Sequence, residues 1–315
     1  MRVLVTGAAG FIGSHLAARL LTDGHDVVAF DDLSDGSMSN LERARGARFV
    51  RGDLRDADAV RSAMSGRDVV FHQGAKRSVP RSIREPELFT DVNVRGTLNV
   101  LLAAEAEGTR VVSASSSSVF GDQERFPLVE TMLPSPRSPY AASKLAAEAY
   151  CRAFTVSMGV PTVSLRYFNV YGPGQDPANE YAAVVPRFAL ACLTAESPVI
   201  HGDGDQARDF TYIDDVVEAN LLSARAGDEA HGLVFNIGGG AQPTSVNEVL
   251  QIVSELTGAS PEPVHEPPRE GDVRRTEANI SLARELLGYA PAVGMREGLE
   301  RTVKHLRDTL DPRER

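Results

Sequence analysis

The sequence predicts an α/β chain, with an open, doubly wound parallel sheet first and a smaller mixed α/β part after it. Three observations predict this. Short β-branched runs alternate with helical stretches through the first half of the chain. Those runs show little apolar–polar alternation, as strands buried on both faces require. A glycine triplet stands between the first run and the first helical stretch.

The elements follow in order. A strand at Val3-Leu4-Val5 precedes a helix over 14–21, and further strands lie at 27–30, 49–50 and 69–71. A helix over about 92–107 leads to a strand at Val111-Val112-Ser113. A helix over about 139–158 then leads to a strand at 162–167. Strands separated by helices imply parallel pairing through crossover connections. Beyond Tyr167 the texture changes. Residues 169–180 hold Gly172, Pro173, Gly174 and Pro177 and read as a loop. A helix near 185–193, a strand-and-turn stretch over 198–215 and a loop over 261–275 come next, with helices near 246–257, 281–287 and 295–310. We expect residues 1–167 plus about 205–238 to form the dinucleotide-type sheet domain. Residues of about 168–204 plus 239–315 would form a ligand-binding part over the carboxyl edge, where open α/β sheets take their ligands.

Composition limits the function. The 315 residues are 42% hydrophobic and 24% charged, with a net charge of −10. These values fit a globular chain, and the acidic balance argues against a nucleic-acid binder. No run approaches the roughly 18 apolar residues of a membrane span. The N-terminal apolar run is broken by Thr6-Gly7, which reads as the first strand of a cytoplasmic fold rather than a leader. Cys151 and Cys192 are too few for a disulfide framework or a metal cluster, so buried structural thiols and no metal are expected.

The first turn reads Gly7-Ala8-Ala9-Gly10-Phe11-Ile12-Gly13, with glycines spaced three and three. Glycine lets the backbone approach a pyrophosphate, and the following helix N-terminus offers free N–H groups. The same triplet also fits a plain tight turn. The second strand ends in Asp31-Asp32, and Asp31 lies 18 residues after Gly13. An acid there can bind the adenosine ribose hydroxyls and repel a 2′-phosphate, which favours NAD over NADP. A helix-capping or turn aspartate is the structural alternative. Asp53 in Gly52-Asp53-Leu54 is a candidate for the adenine edge.

Tyr140 and Lys144 stand at i and i+4 on a predicted helix, hence on one face. A nearby ammonium and an oxidised nicotinamide would both favour the phenolate, making Tyr140 a usable base. Only three of the 33 basic residues are lysines, so one inside this motif is not there through abundance. Ser115-Ser116-Ser117-Ser118 follows a buried strand, where a hydroxyl could bind the reacting oxygen, although serine runs after strands are commonly just turns.

With these motifs in view, the chain resembles the extended short-chain dehydrogenase/reductases. Within them it resembles the nucleotide-sugar epimerase/dehydratase family and its UDP-hexose and UDP-N-acetylhexosamine 4-epimerases. The carriers are TGAAGFIG at 6–13, DDLSDG at 31–36, GDL at 52–54, FHQGAKRSVPRS at 71–82 and NVRGT at 93–97. They continue with SSSSVFG at 115–121, SPYAASK at 138–144, LRYFNVYGPGQDP at 165–177, GDGDQARDFTYIDD at 202–215 and REGD at 269–272. The resemblance implies a Rossmann-type sheet, NAD as cofactor, a UDP-sugar substrate and a homodimer pairing the helices near 92–107 and 139–158. It implies that Tyr140 is the base, that Lys144 holds the nicotinamide ribose, and that Ser116 is the catalytic hydroxyl. Gln73, Gly74, Ala75 and Tyr167 would line the nicotinamide and phosphate region, with Leu54 beside the cofactor and Asn93 supporting it. Asn169 would contact the sugar or diphosphate, Arg208 and Arg269 would clamp the diphosphate, and Asp272 would hold the uridine ribose. Val199 and His201 fall where the family packs uracil, though His201 reads equally well as a surface histidine.

The reaction class follows from departures inside the family pattern. The related dehydratases place Asp-Glu after the catalytic Ser/Thr, and Ser117 and Ser118 stand there in this chain. Dehydration is therefore disfavoured. Asn169 favours a neutral sugar over a uronate, whereas Arg77 near the sugar keeps a UDP-glucuronate 4-epimerase open. Thr276 is small at the position that governs room for a 2-acetamido group. The expected substrates are UDP-GlcNAc/UDP-GalNAc, with UDP-glucose/UDP-galactose also accepted. The rival from another class is a catalytically dead sugar-nucleotide sensor on the same fold.

Overall fold

The computed structural model describes residues 1–177, 183–268 and 273–310. The first half runs β1 (Arg2–Thr6), α1 (Phe11–Thr22), β2 (Asp26–Asp31), β3 (Arg48–Arg51), α2 (Ala57–Met64) and β4 (Val69–His72). It continues with α3 (Val79–Arg84), α4 (Pro86–Phe89), a π-helical turn at Thr90–Arg95, α5 (Gly96–Glu107) and β5 (Arg110–Ser116). Next come α6 (Pro139–Met158), β6 (Thr162–Tyr167), β7 (Val170–Tyr171), α7 (Val184–Thr194) and β8 (Val199–His201). The rest is β9 (Ala207–Arg208), β10 (Thr211–Tyr212), α8 (Ile213–Arg225), β11 (Leu233–Ile237), β12 (Thr244–Ser245), α9 (Val246–Thr257), β13 (Val264–Glu266), α10 (Ser281–Leu287) and α11 (Met295–Leu310).

Seven strands form one parallel sheet in the order β11-β6-β5-β4-β1-β2-β3. The order reverses at β1, which pairs with β2 on one side and β4 on the other. That switch point opens a crevice at the carboxyl ends of the strands. The missing alternation in the sequence has a direct cause. Val3 and Val5 enter the core that contains Leu16, while Leu4 enters the opposite core with Leu101 and Cys151. Each strand is apolar on both faces because helices cover both.

Several elements differ from the sequence reading. The helical path expected from 92 begins at Pro86, because proline is pre-set for the first turn and supplies no N–H that would need a partner. The expected strand-and-turn stretch over 198–215 ends in helix α8, whose first turn holds Asp214 and Asp215 facing its positive end. The loop expected over 169–180 contains β7, paired with β10, and that over 261–275 contains β13, paired with β8. These are short edge pairings of two and three residues that no sequence periodicity marks. Helix α6 matches its expected span because both ends are signalled. The Ser138 hydroxyl accepts from the Ala141 N–H, Pro139 opens the first turn, and Gly159 ends the helix at φ 71°. Both cysteines are free and buried. Among the described residues no helix is long and apolar enough to cross a membrane.

Candidate active site

A cleft of about 590 Å³ lies over the switch point. Gly7, Gly10, Phe11, Ile12 and Gly13 line it from the first turn, with Asp31 and Asp32 from the end of β2 and Asp53 and Leu54 from beyond β3. Gln73, Gly74, Ala75 and Arg77 line it from the loop after β4. Gly7 has φ +65°, and a Cβ there would stand 2.6 Å from Gly74 Cα. A Cβ at Gly13 would stand 2.1 Å from the Gly7 carbonyl oxygen. Gly10 precedes helix α1 and gives it no side-chain cap, so the first N–H groups are left for a ligand. The donor set fits a dinucleotide, with backbone N–H groups at one end and an acid at the neighbouring strand end.

Asp31 is buried and accepts from the Ala9 N–H at 3.0 Å and the Leu33 N–H at 2.8 Å. Burial raises its pKa, and those bonds oppose the rise. The turn-aspartate reading is thus partly right, since the same carboxylate braces the turn and lines the cleft. Asp53 pairs with Arg55, whose hydrogen bond lowers its pKa.

Four residues expected at the cofactor do not line this cleft. Asn93 is buried behind it. Its amide accepts from the Lys76 N–H at 2.7 Å and donates to the Ser143 hydroxyl at 2.9 Å, tying the loop after β4 to helix α6. Tyr167 is buried, and its hydroxyl donates to Gln73 at 3.1 Å and accepts from the Asn220 amide at 2.9 Å. Burial pushes its pKa up to about 12, so it stays a neutral phenol. Tyr140 and Lys144 stand on α6.

The Ser116 hydroxyl accepts from the Ser118 N–H at 3.2 Å and from its hydroxyl at 2.8 Å. Beside it lies the Tyr140 phenol, whose ring meets Phe89 edge to face at 6.3 Å. Burial raises the Tyr140 pKa, and Ser116 followed by the Arg77 charge pulls it back. Arg77, from the loop after β4, is a charge at the phenol that the sequence reading did not place there. The Lys144 ammonium donates to the Ala114 carbonyl at 2.8 Å. Burial lowers its pKa to about 8, and Glu148 opposes the drop.

A second pocket of about 260 Å³ is lined by Asn169, Val199, His201 and Arg208, all expected at the substrate. Asn169 has φ +23°, a region that asparagine tolerates better than most residues. Arg208 is 8% exposed. His201 lies 3.5 Å from Glu266. Thr276 does not line the pocket. Its buried hydroxyl accepts from the Asp209 N–H at 3.2 Å and donates to Asn169 Oδ1 at 3.4 Å, so it backs Asn169. Ser117 opens the 3-10 turn after β5, half-buried. Arg269 and Asp272 lie outside the described residues.

Sequence reasoning missed Asn220, Phe89, Ser143, Glu148 and Arg166. The first three carried no spacing signal. Glu148 did, standing four residues after Lys144 and eight after Tyr140. The cleft is also lined by Gly174, Gln175 and Asp176, from a loop far along the chain. The cradle makes a direct prediction. Gly13→Ala, which must displace the Gly7 carbonyl, is expected to weaken NAD binding at least about tenfold, the effect of some 1.4 kcal/mol. Calorimetric titration of cofactor-stripped protein reads this, and an unchanged Kd would contradict the cradle.

Residues 3–238 match the family described as "NAD dependent epimerase/dehydratase family". A UDP-glucose 4-epimerase from Mycolicibacterium smegmatis is 42% identical, covering 98% of this chain and 99% of its own. The crystal structure of a UDP-glucose 4-epimerase from Thermotoga maritima with UDP-glucose superposes with a TM-score of 0.94 at 40% identity, covering 99% of this chain and 100% of that one. A UDP-N-acetylglucosamine 4-epimerase from Methanobrevibacter ruminantium, in complex with UDP-N-acetylmuramic acid, gives 0.93 at 37% identity, covering 98% and 99%. With a dinucleotide cleft at the switch point and a match over most of its length, the chain belongs to the NAD-dependent epimerase/dehydratase family.

Proposed function

We propose that the chain is a UDP-sugar 4-epimerase. UDP-GlcNAc and UDP-GalNAc are its preferred pair, and UDP-glucose and UDP-galactose are also accepted. The observation that carries the reading is a buried tyrosine phenol beside the Ser116 hydroxyl, on a helix whose next turn on the same face bears Lys144. The relatives' activities support it.

Gly7, Gly10, Phe11, Ile12 and Gly13 would hold the pyrophosphate of NAD, and Asp31 the adenosine ribose. When bound, NAD⁺ supplies a reversible two-electron acceptor at carbon 4 of the sugar. Tyr140 takes the proton from the 4-hydroxyl, and Ser116 donates a hydrogen bond to the same oxygen. The 4-keto sugar turns about its bond to the diphosphate so that its opposite face is presented for reduction at carbon 4, and Tyr140 returns the proton to the oxygen. Arg208 grips the diphosphate throughout, with Arg269 and Asp272 proposed beside it. Binding energy held away from the reacting carbon lets the sugar turn without escaping. Ser117 and Ser118 bring no carboxyl group to the site, and Ser118 is engaged in holding Ser116, which argues against water elimination.

The small Thr276 behind Asn169 supports the N-acetylated sugars. A second reading, a UDP-glucuronate 4-epimerase, is favoured by Arg77, whose charge reaches Tyr140. The test offers purified protein UDP-GlcNAc, UDP-glucose and UDP-glucuronate separately, with no added cofactor, and resolves products by NMR. Formation of the 4-epimers of the first two, faster for UDP-GlcNAc, is expected. Tyr140→Phe should lower kcat by about 10²–10⁴-fold, the usual share of a general base. Turnover of UDP-glucuronate alone would establish the second reading, and none on any of the three would overturn both.

A homodimer pairing α5 and α6 completes the proposal. These helices expose Leu102 at 47%, Tyr150 at 39% and Met158 at 46%, an apolar set that a second copy would cover. Sedimentation at micromolar concentration should give twice the chain mass, and a monomer at that concentration would contradict it.

A further inference from the structure

Helix α6 presents Tyr140, Lys144 and Glu148 at i, i+4 and i+8. Glu148 is a carboxylate 5% exposed, inside the sheet–helix layer. Its Oε1 accepts from the Ser115 hydroxyl at 2.5 Å and from Arg166 Nε at 2.9 Å. Its Oε2 accepts from Arg166 Nη2 at 2.7 Å. Ser115 and Arg166 lie opposite one another on β5 and β6, one residue before the facing pair Ser116 and Tyr167. A single carboxylate thus joins the face of α6 to two strand ends.

Arg166 is itself fixed. Its guanidinium lies 4.6 Å from the Phe120 ring centroid and donates to the Glu130 carbonyl at 3.4 Å. The arginine is 3% exposed. A buried ion pair of this kind is weak evidence for stability, since an apolar pair of similar volume is often as stable.

We infer that Glu148 is a positioning residue for the proposed epimerisation, setting α6 against the ends of β5 and β6 so that Tyr140 meets Ser116 and Lys144 keeps a carboxylate beside it. The inference rests on the proposed activity. Burial drives the Lys144 ammonium toward neutrality at about 8, and the Glu148 charge opposes that most strongly. The groups facing this pair are few. Tyr140 and Cys151 lie on α6, His72 on β4 and Arg166 on β6, while Arg77 acts on Tyr140 from the loop after β4. Burial holds His72 neutral at about 3 and the Cys151 thiol protonated at about 11. The Glu148 carboxylate therefore supplies the negative charge that Lys144 meets in this cluster.

The sign follows. Removing the carboxylate lowers the Lys144 pKa, so its ammonium is lost at lower pH. The alkaline limb of kcat then moves down, and the Tyr140 phenolate forms at higher pH. The experiment uses holoenzyme and compares wild type, Glu148→Gln, Glu148→Asp and the double variant Glu148→Gln/Arg166→Gln. The double variant removes the uncompensated buried cation that could unfold the single one. Two readouts are taken, namely kcat and KM against pH, and the near-ultraviolet phenolate absorbance of each protein minus its Tyr140→Phe counterpart.

For Glu148→Gln and the double variant, we expect kcat at neutral pH to fall about tenfold or more, with KM within about twofold and the alkaline limb about one unit lower, a unit being a tenfold change. The phenolate should appear at higher pH in both. Glu148→Asp, which keeps the charge but shortens the reach, should keep the limb and lose rate. If the folded double variant retains the wild-type pH profile and phenolate titration, Glu148 serves only to neutralise Arg166 and the inference falls. If wild type turns over no UDP-sugar, the proposed function fails, and the phenolate titration alone still decides whether Glu148 acts on Tyr140 and Lys144.

Discussion

The first turn must pass so close to the loop after β4 that no side chain fits between them. A Cβ at Gly7 would stand 2.6 Å from Gly74 Cα. The two loops can approach this closely because β1 and β4 are neighbours at the point where the strand order reverses. Their contact shapes one cleft from segments distant in sequence, with the uncapped start of α1 at one end and Asp31 beside it. The hydrogen bonds of Asn93 then carry the position of the loop after β4 to helix α6. The placement of Tyr140 therefore traces back to a glycine more than a hundred residues earlier.

Two demands on α6 pull against each other. The helix buries an ammonium and a phenol, yet burial neutralises an ammonium and disfavours a phenolate. The chain answers with neighbours. The Ala114 carbonyl accepts from Lys144, Glu148 keeps an anion beside it, and Ser116 with Arg77 eases the penalty on Tyr140. Most of these groups sit at strand ends or on the next helical turn, so the sheet itself fixes much of the electrostatics. The second pocket, around Arg208 and Asn169, is built from other segments of the chain.

Much of this was legible in the sequence, for identifiable reasons. The glycine triplet and the Tyr140–Lys144 spacing each have one physical meaning in their context, a turn before a helix and one face of a helix. The span of α6 was readable from Ser138, Pro139 and Gly159. The two- and three-residue pairings of β7 and β13 were not, because they depend on which loops meet. Asn220 and Gly174 reach Tyr167 and the cofactor cleft only through tertiary folding. The Arg77 charge at Tyr140 was not legible either, because only the fold brings the loop after β4 to that helix.

The central proposal is that the hydrogen removed from carbon 4 of the sugar returns to carbon 4 without exchange with water, while Tyr140 handles only the hydroxyl proton. UDP-GlcNAc carrying deuterium at carbon 4 tests this directly when incubated with the purified protein in ordinary water. The account predicts a 4-epimer that retains the deuterium at carbon 4 and gains no solvent label at carbon 3 or carbon 5. Loss of the deuterium to water, or exchange at carbon 5, would contradict it.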